Sequence, residues 1–181
     1  MRRVNPQIIG EGKHLRLVSE RGWEYADRVR GTGVVAIVAT TADDELILTE
    51  QSRVPVKRKV VDLAAGLAGD VSGEESEAFE QAARRELEEE TGFHADEFWH
   101  IFTGPTSAGM VTEMVAFFRA VNCQRVSAGG GDHTEDIRVH VVPLAKIGAW
   151  LTRKQTRRTC IDPKVYAALG ILGLEAAHSE S

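Results

Sequence analysis

No apolar run in the 181 residues approaches the ~18 that a membrane span needs. The start, Met-Arg-Arg-Val-Asn-Pro, also lacks the apolar stretch of a secretory leader, so membrane insertion and export are disfavoured and a cytoplasmic location is expected. Cysteine is scarce. Cys123 and Cys160 stand alone with no Cys-x-x-Cys spacing, which leaves a zinc site or a disulfide framework without support and reads as two reduced thiols. An excess of basic charge is missing too: 22 Lys and Arg face 27 Asp and Glu, a net −5 that argues against a nucleic-acid or membrane-surface partner. Repeats and long low-complexity linkers are absent, and the length suits one domain with its own core.

What is present is an ordinary globular composition, 43% hydrophobic and 27% charged, with one unusual segment. Between Glu74 and Glu90 lie eight glutamates and two arginines, Arg84 and Arg85, for a local net of −6. The rest of the chain is therefore almost neutral.

Alternating patterns predict an N-terminal hairpin from strands at 14–18 and 23–29. Strands follow at 33–40, 45–49 and 60–63, then a loop rich in Gly, Asp and Ser that holds Gly66, Gly69 and Gly73. A helix is expected over 76–91, with Ser76 as N-cap, Phe79, Ala83 and Leu87 as its core stripe, and Gly92 as left-handed C-cap. Further strands are expected at 98–103, 114–121 and 137–142, with Gly129, Gly130 and Gly131 in the loop before the last. A helix at 144–151 and another running from N-cap Asp162 and Pro163 to Leu172 complete the reading, with 176–181 as a disordered tail. The sum is an α+β domain.

At ~100° per residue, Glu86, Glu89 and Glu90 share one flank of the expected helix, where like charges repel. Two readings fit. One is a divalent cation held by hard oxygen ligands, Mg²⁺ or Mn²⁺. The other is a solvated acidic face with Arg84 and Arg85 as partial counterions.

The stretch from Gly66 to Phe93 resembles the Nudix hydrolase signature, G-x5-E-x7-R-E-U-x-E-E-x-G-U with U an aliphatic or aromatic residue. Glu77, seven residues, and then Arg85-Glu86-Leu87-Glu88-Glu89-Glu90-Thr91-Gly92-Phe93 fill every specified position of its longer part. Ten residues rather than five separate Gly66 from Glu77, an insertion that moves no carboxylate relative to another. The resemblance implies a Nudix fold, an α/β/α sandwich with a mixed sheet between helices, and hydrolysis of a nucleoside diphosphate linked to another group. It also implies two or three Mg²⁺ bound by Glu86, Glu89, Glu90 and the Ala65 carbonyl, with Arg85 and Glu77 orienting those ligands.

Beyond the signature, most of residues 12–170 resemble ADP-ribose and nucleoside-diphosphate-sugar pyrophosphatases. Trp23-Glu24-Tyr25 with Arg28 resembles a hairpin whose tryptophan stacks on the base in the partner subunit of a domain-swapped homodimer. That assigns residues 1–31 to dimerisation and base recognition and 32–175 to the hydrolase domain. An ordinary buried hairpin tryptophan is the plainer alternative. Arg53, in Glu50-Gln51-Ser52-Arg53-Val54-Pro55, and Arg28 would contact the substrate diphosphate. His14 takes a place where some relatives carry a second stacking aromatic. Glu135, in the acidic loop Gly131-Asp132-His133-Thr134-Glu135-Asp136, is the expected general base and a further metal ligand, with Glu113 in reserve. The basic residues Arg153, Lys154, Arg157 and Arg158 read as a solvated segment or a phosphate contact.

The implied activity is Mg²⁺-dependent cleavage of ADP-ribose or a related nucleotide sugar into nucleoside monophosphate and sugar phosphate. A pyrophosphohydrolase of RNA 5′ ends or dinucleoside polyphosphates, and a nucleotide sensor without catalysis, are the alternatives.

Overall fold

The structure, a computed structural model, describes residues 5–29, 33–69, 78–131 and 136–179. Its first element is a three-stranded antiparallel sheet of β1 (Gln7–Glu11), β2 (Leu15–Glu20) and β3 (Trp23–Arg28). The expected hairpin is β2 and β3, turned through Arg21 and Gly22 at φ 51° and 85°. β1 is an addition. It is exposed along its length and bulged at Ile8/Gly10, so neither a buried face nor a regular alternation marks it in the sequence.

The strands β4 (Gly33–Ala39), β5 (Glu45–Arg53), β6 (Arg58–Asp62) and β7 (Ala64–Ala68) lead to α1 (Phe79–Thr91). Then come β8 (Phe93–His94), β9 (Glu97–Pro105), β10 (Met114–Val121), β11 (Gln124–Arg125), β12 (Arg138–Pro143), α2 (Ile147–Lys154), β13 (Thr159–Ile161) and α3 (Pro163–Ser179). Two four-stranded sheets carry the fold, ordered β7-β4-β10-β9 and β12-β5-β6-β13, each with one parallel pair. The expected single mixed sheet is thus two mixed sheets, joined by a bridge from Thr40 to Leu46.

Side-chain alternation along β4 explains the sandwich. Val35, Ile37 and Ala39 enter a core with Ala83 and Leu87 of α1, while Ala36 and Val38 enter a second core with Leu151 of α2 and Val165 of α3. Helices therefore cover both faces. Phe79 departs from the expected core stripe. It is 40% exposed at the first turn of α1, and its ring packs against Gly33, 2.9 Å from where a Cβ at that position would lie.

α1 is described from Phe79 with Ala78 at its N-cap; the expected cap, Ser76, lies outside the described residues. Gly92 closes the helix at φ 73°, as its sequence position predicts. α3 runs to Ser179 rather than Leu172 because Glu175 meets Arg119, a buried arginine that also donates to the Val38 and Ala120 carbonyls. Of the expected tail, residues 176–179 are helical and 180–181 lie outside the described residues. Both cysteines are free, and burial pushes the Cys123 thiol up to about 11, which leaves it unreactive. Among the described residues no helix is long and apolar enough to cross a membrane.

Candidate active site

β7 was not expected as a strand, and it organises the site. It is the outer strand of its sheet, so one edge of its backbone faces α1 rather than another strand. Side chains of α1 satisfy that edge. Glu90 Oε2 accepts the Ala65 N–H at 3.0 Å, and Arg85 Nη2 donates to the Leu67 carbonyl at 3.2 Å. Because N–H and C=O of one strand residue point the same way, the Ala65 carbonyl also faces α1.

Gly66 lies between these contacts. A Cβ there would fall 2.0 Å from Glu86 Cδ, so the glycine leaves the space that the Glu86 carboxylate occupies. Glu86 and Glu90 are buried at 9% and 3% exposure. Arg85 Nη1 holds Glu86 at 2.9 Å and Glu89 at 3.0 Å, a charge balance that makes three neighbouring carboxylates tolerable on one helix flank. Among the described residues, no three His, Cys, Asp or Glu side chains already converge in metal-ligating positions. The donor chemistry nevertheless suits a hard divalent cation: three carboxylates, an outward carbonyl, and a glycine cradle that keeps side-chain bulk away from them.

The cavity beside this edge is about 1020 Å³ and gathers residues from eight helices and strands and the loops between them. The α1 carboxylates, Arg85 and Ala65 line it, together with Arg28 from β3 and Arg53 at the end of β5. Glu113 lines it as well and is bonded to Arg28. Trp23, Glu24 and His14 do not line it: Trp23 is 62% exposed, with its ring beside Gly109 of the same chain. Glu77 and Glu135 lie outside the described residues.

Gly130 donates to the Glu90 carbonyl at 2.9 Å and Gly131 to the Glu89 carbonyl at 3.0 Å, which ties residues 130 and 131 to the last turn of the carboxylate helix. Gly129, Gly130 and Gly131 all have positive φ, and a Cβ at Gly129 would meet the Thr91 carbonyl carbon at 2.3 Å. The triple glycine is therefore a helix-capping device.

Sequence reasoning missed three lining residues. Lys164 sits 3.0 Å from Asp62 and 2.9 Å from Asp162 at the cavity wall. Burial works against the Lys164 ammonium, but the two aspartates outweigh it and raise its pKa; burial pushes the Asp62 carboxyl up despite Lys164. Asp162 was legible only as a helix start, a role it also fills by accepting the Lys164 N–H. The one available signal for Asp62 was a carboxylate ending an apolar strand.

A family profile described as NUDIX domain matches residues 29–163. The chain is 28% identical over 150 residues to a methanol dehydrogenase activator of Bacillus methanolicus, covering 82% of this chain and 76% of that one. It is 32% identical over 136 residues to a GDP-mannose pyrophosphatase of Citrobacter koseri, covering 71% and 68%. An ADP-ribose pyrophosphatase of Bacillus subtilis is 38% identical over 92 residues, about half of each chain at 51% and 47%. A solved structure of an ADP compounds hydrolase superposes with a TM-score of 0.71 at 20% identity over 97% of this chain and 94% of that one, a likeness of fold.

Proposed function

The chain belongs to the Nudix hydrolase family, and on that premise we propose that it cleaves the pyrophosphate bond of ADP-ribose or a related nucleoside diphosphate sugar. The products are a nucleoside monophosphate and a sugar phosphate. One observation carries this reading: a single cavity sets Arg28 and Arg53 beside the carboxylates Glu86, Glu89 and Glu90. Arginine forks suit diphosphate oxygens, and clustered carboxylates suit the cations that must accompany them. The relatives named for ADP-ribose and GDP-mannose support the substrate class.

Nudix hydrolases work with divalent metal ions; Mg²⁺, two or three per site, is the ion proposed here. Glu86, Glu89, Glu90 and the Ala65 carbonyl would hold it, and when bound it supplies charge neutralisation of the diphosphate and acidification of water. Arg85 bridges Glu86 and Glu89 and orients both carboxylates. Arg28 and Arg53 bind the diphosphate and fix the scissile bridge. Glu135 takes the proton of the attacking water as its hydroxyl joins phosphorus and the anhydride oxygen leaves on the other phosphate. Supporting this reading, Gly130 and Gly131, shortly before Glu135 in sequence, are bonded to the carbonyls of Glu90 and Glu89.

A homodimer is part of the proposal. The N-terminal sheet exposes Ile8, Ile9, Leu15 and Leu17 with Trp23, an apolar surface suited to a second copy. Trp23 would then stack on the base held by the partner, in line with its absence from the cavity of its own chain.

The test is a panel of nucleoside diphosphate sugars with Mg²⁺, read by phosphate release after coupling to a phosphatase. Release from ADP-ribose or another nucleotide sugar, dependent on Mg²⁺, is expected. Tight binding without release, or cleavage of capped RNA and dinucleoside polyphosphates in preference, would overturn the assignment.

A further inference from the structure

Of the basic residues Arg153, Lys154, Arg157 and Arg158, Lys154 does not serve a solvated segment. It is the last residue of α2 and reaches the sheet, where Nζ donates to Glu50 Oε2 at 2.5 Å. His140 Nε2 of β12 lies 2.7 Å from the same oxygen. The Glu50 and His140 side chains are only 7% and 11% exposed. Trp150 closes the cluster, edge-on to His140 at 5.0 Å and beneath Lys154 at 5.3 Å.

Stability alone does not account for such a group. Apolar residues of similar volume do as well or better than a buried ion pair, whose best-attested use is to fix a register. The cluster sits where a register matters. Glu50 is the last residue of β5 held on both sides, opposite Arg138 in β12 and Val61 in β6. Beyond it Gln51, Ser52 and Arg53 pair with β6 alone, and the chain turns back through Val54–Val56 and Lys57 at φ 52°. That projecting hairpin carries Arg53, Pro55 and Val56 to the cavity. Glu50 is its root.

We propose that Glu50, His140 and Lys154 are positioning residues for Arg53: three elements meet on one carboxylate oxygen and fix the angle at which the β5–β6 hairpin delivers the guanidinium to the cavity. None of the three lines the cavity. The proposal rests on reading that cavity as a diphosphate site, and it concerns anion binding rather than the chemical step.

Inorganic pyrophosphate, titrated calorimetrically in Mg²⁺, reads it directly in a double-mutant cycle of Lys154→Met and Arg53→Ala, with Tm measured for each variant. Arg53→Ala should weaken pyrophosphate by about tenfold and Lys154→Met by about fivefold, while the double variant binds no worse than Arg53→Ala, since Lys154 acts only through Arg53. Lys154→Arg should return affinity to within about twofold of wild type, because it restores the charge and donors. Should Lys154→Met fail to fold, Lys154→Gln enters the same cycle. Additive losses, an unchanged Kd in the Lys154 variant, or pyrophosphate binding that ignores Arg53 would each overturn the proposal. Coupled binding in a protein that cleaves no nucleotide sugar would instead sink the proposed reaction and leave the positioning role standing.

Discussion

Arg28 and Glu113 form a closed pair at the mouth of the cavity: Arg28 Nε donates to Glu113 Oε2 at 2.7 Å, and its terminal nitrogen reaches the same oxygen. The pair belongs to a wider seam. The Ala26 N–H donates to the Met110 carbonyl and the Ala26 carbonyl accepts the Thr112 N–H, while the Thr112 hydroxyl donates to Asp27 at 2.6 Å. The seam thus docks the N-terminal sheet onto the loop at 106–113. A carboxylate already serving a guanidinium is poorly placed to take a proton from water, which separates Glu113 from the role of general base.

Glu113→Gln should therefore keep kcat within about threefold of wild type, whereas Glu135→Gln should lower it by about 10² to 10⁴, the usual worth of a general base. Steady-state kinetics on the best nucleotide sugar decides between them. A collapse of kcat in Glu113→Gln alone would exchange the two assignments.

Gly66→Ala tests the cradle. The added methyl would overlap the Glu86 carboxylate, so the side chain must leave its place beside β7. The expected result is a loss of at least about tenfold in apparent Mg²⁺ affinity, the scale on which metal sites respond to displaced supporting groups. An unchanged Mg²⁺ titration would show that Glu86 does not act from this position.

Stability should decline on the acid side of neutrality. Burial, with Lys154 and Arg138 adding to it, holds His140 below its ordinary 6.5. Burial pushes Glu50 up, but the bonds and charges of Lys154 and His140 outweigh it and hold the carboxyl below 4.5. In both cases the unfolded chain binds protons more readily, so stability rises with pH across each window. The His140 contribution is complete above 6.5 and is lost as pH falls through its folded value; that of Glu50 is lost lower, below 4.5. His140→Gln should flatten the fall in Tm between about pH 7 and 5.5, measured by calorimetry. An identical slope in the variant would contradict the assignment.

Trp23→Ala should raise KM severalfold at nearly unchanged kcat, because base stacking of roughly 1 to 3 kcal/mol is lost from binding rather than from chemistry. Sedimentation of the wild type should give a dimer. A monomer with unchanged KM in the variant would remove the swapped tryptophan from the account.

The sequence made α1 legible because its carboxylate spacing, its core positions at Ala83 and Leu87 and its glycine cap agree with one another. It hid β7. Ala-Ala-Gly-Leu-Ala has little strand propensity, and the segment is a strand because β4 pairs one edge while Glu90 and Arg85 bond the other. The Glu50 cluster was equally hidden, since its partners lie 90 and 104 residues away and no local pattern links them. Lys154 accordingly read as one more surface charge.

The central claim is that carboxylates of α1 serve a metal-dependent cleavage of a nucleotide sugar. Its most direct measurement compares wild type with Glu90→Gln for Mg²⁺-dependent turnover of the best substrate in the panel, with the Tm of both recorded. Turnover by the wild type is expected, with a loss of at least about 10² in the variant at nearly unchanged Tm, the glutamine oxygen still accepting the Ala65 N–H. Near-normal turnover by Glu90→Gln would contradict it.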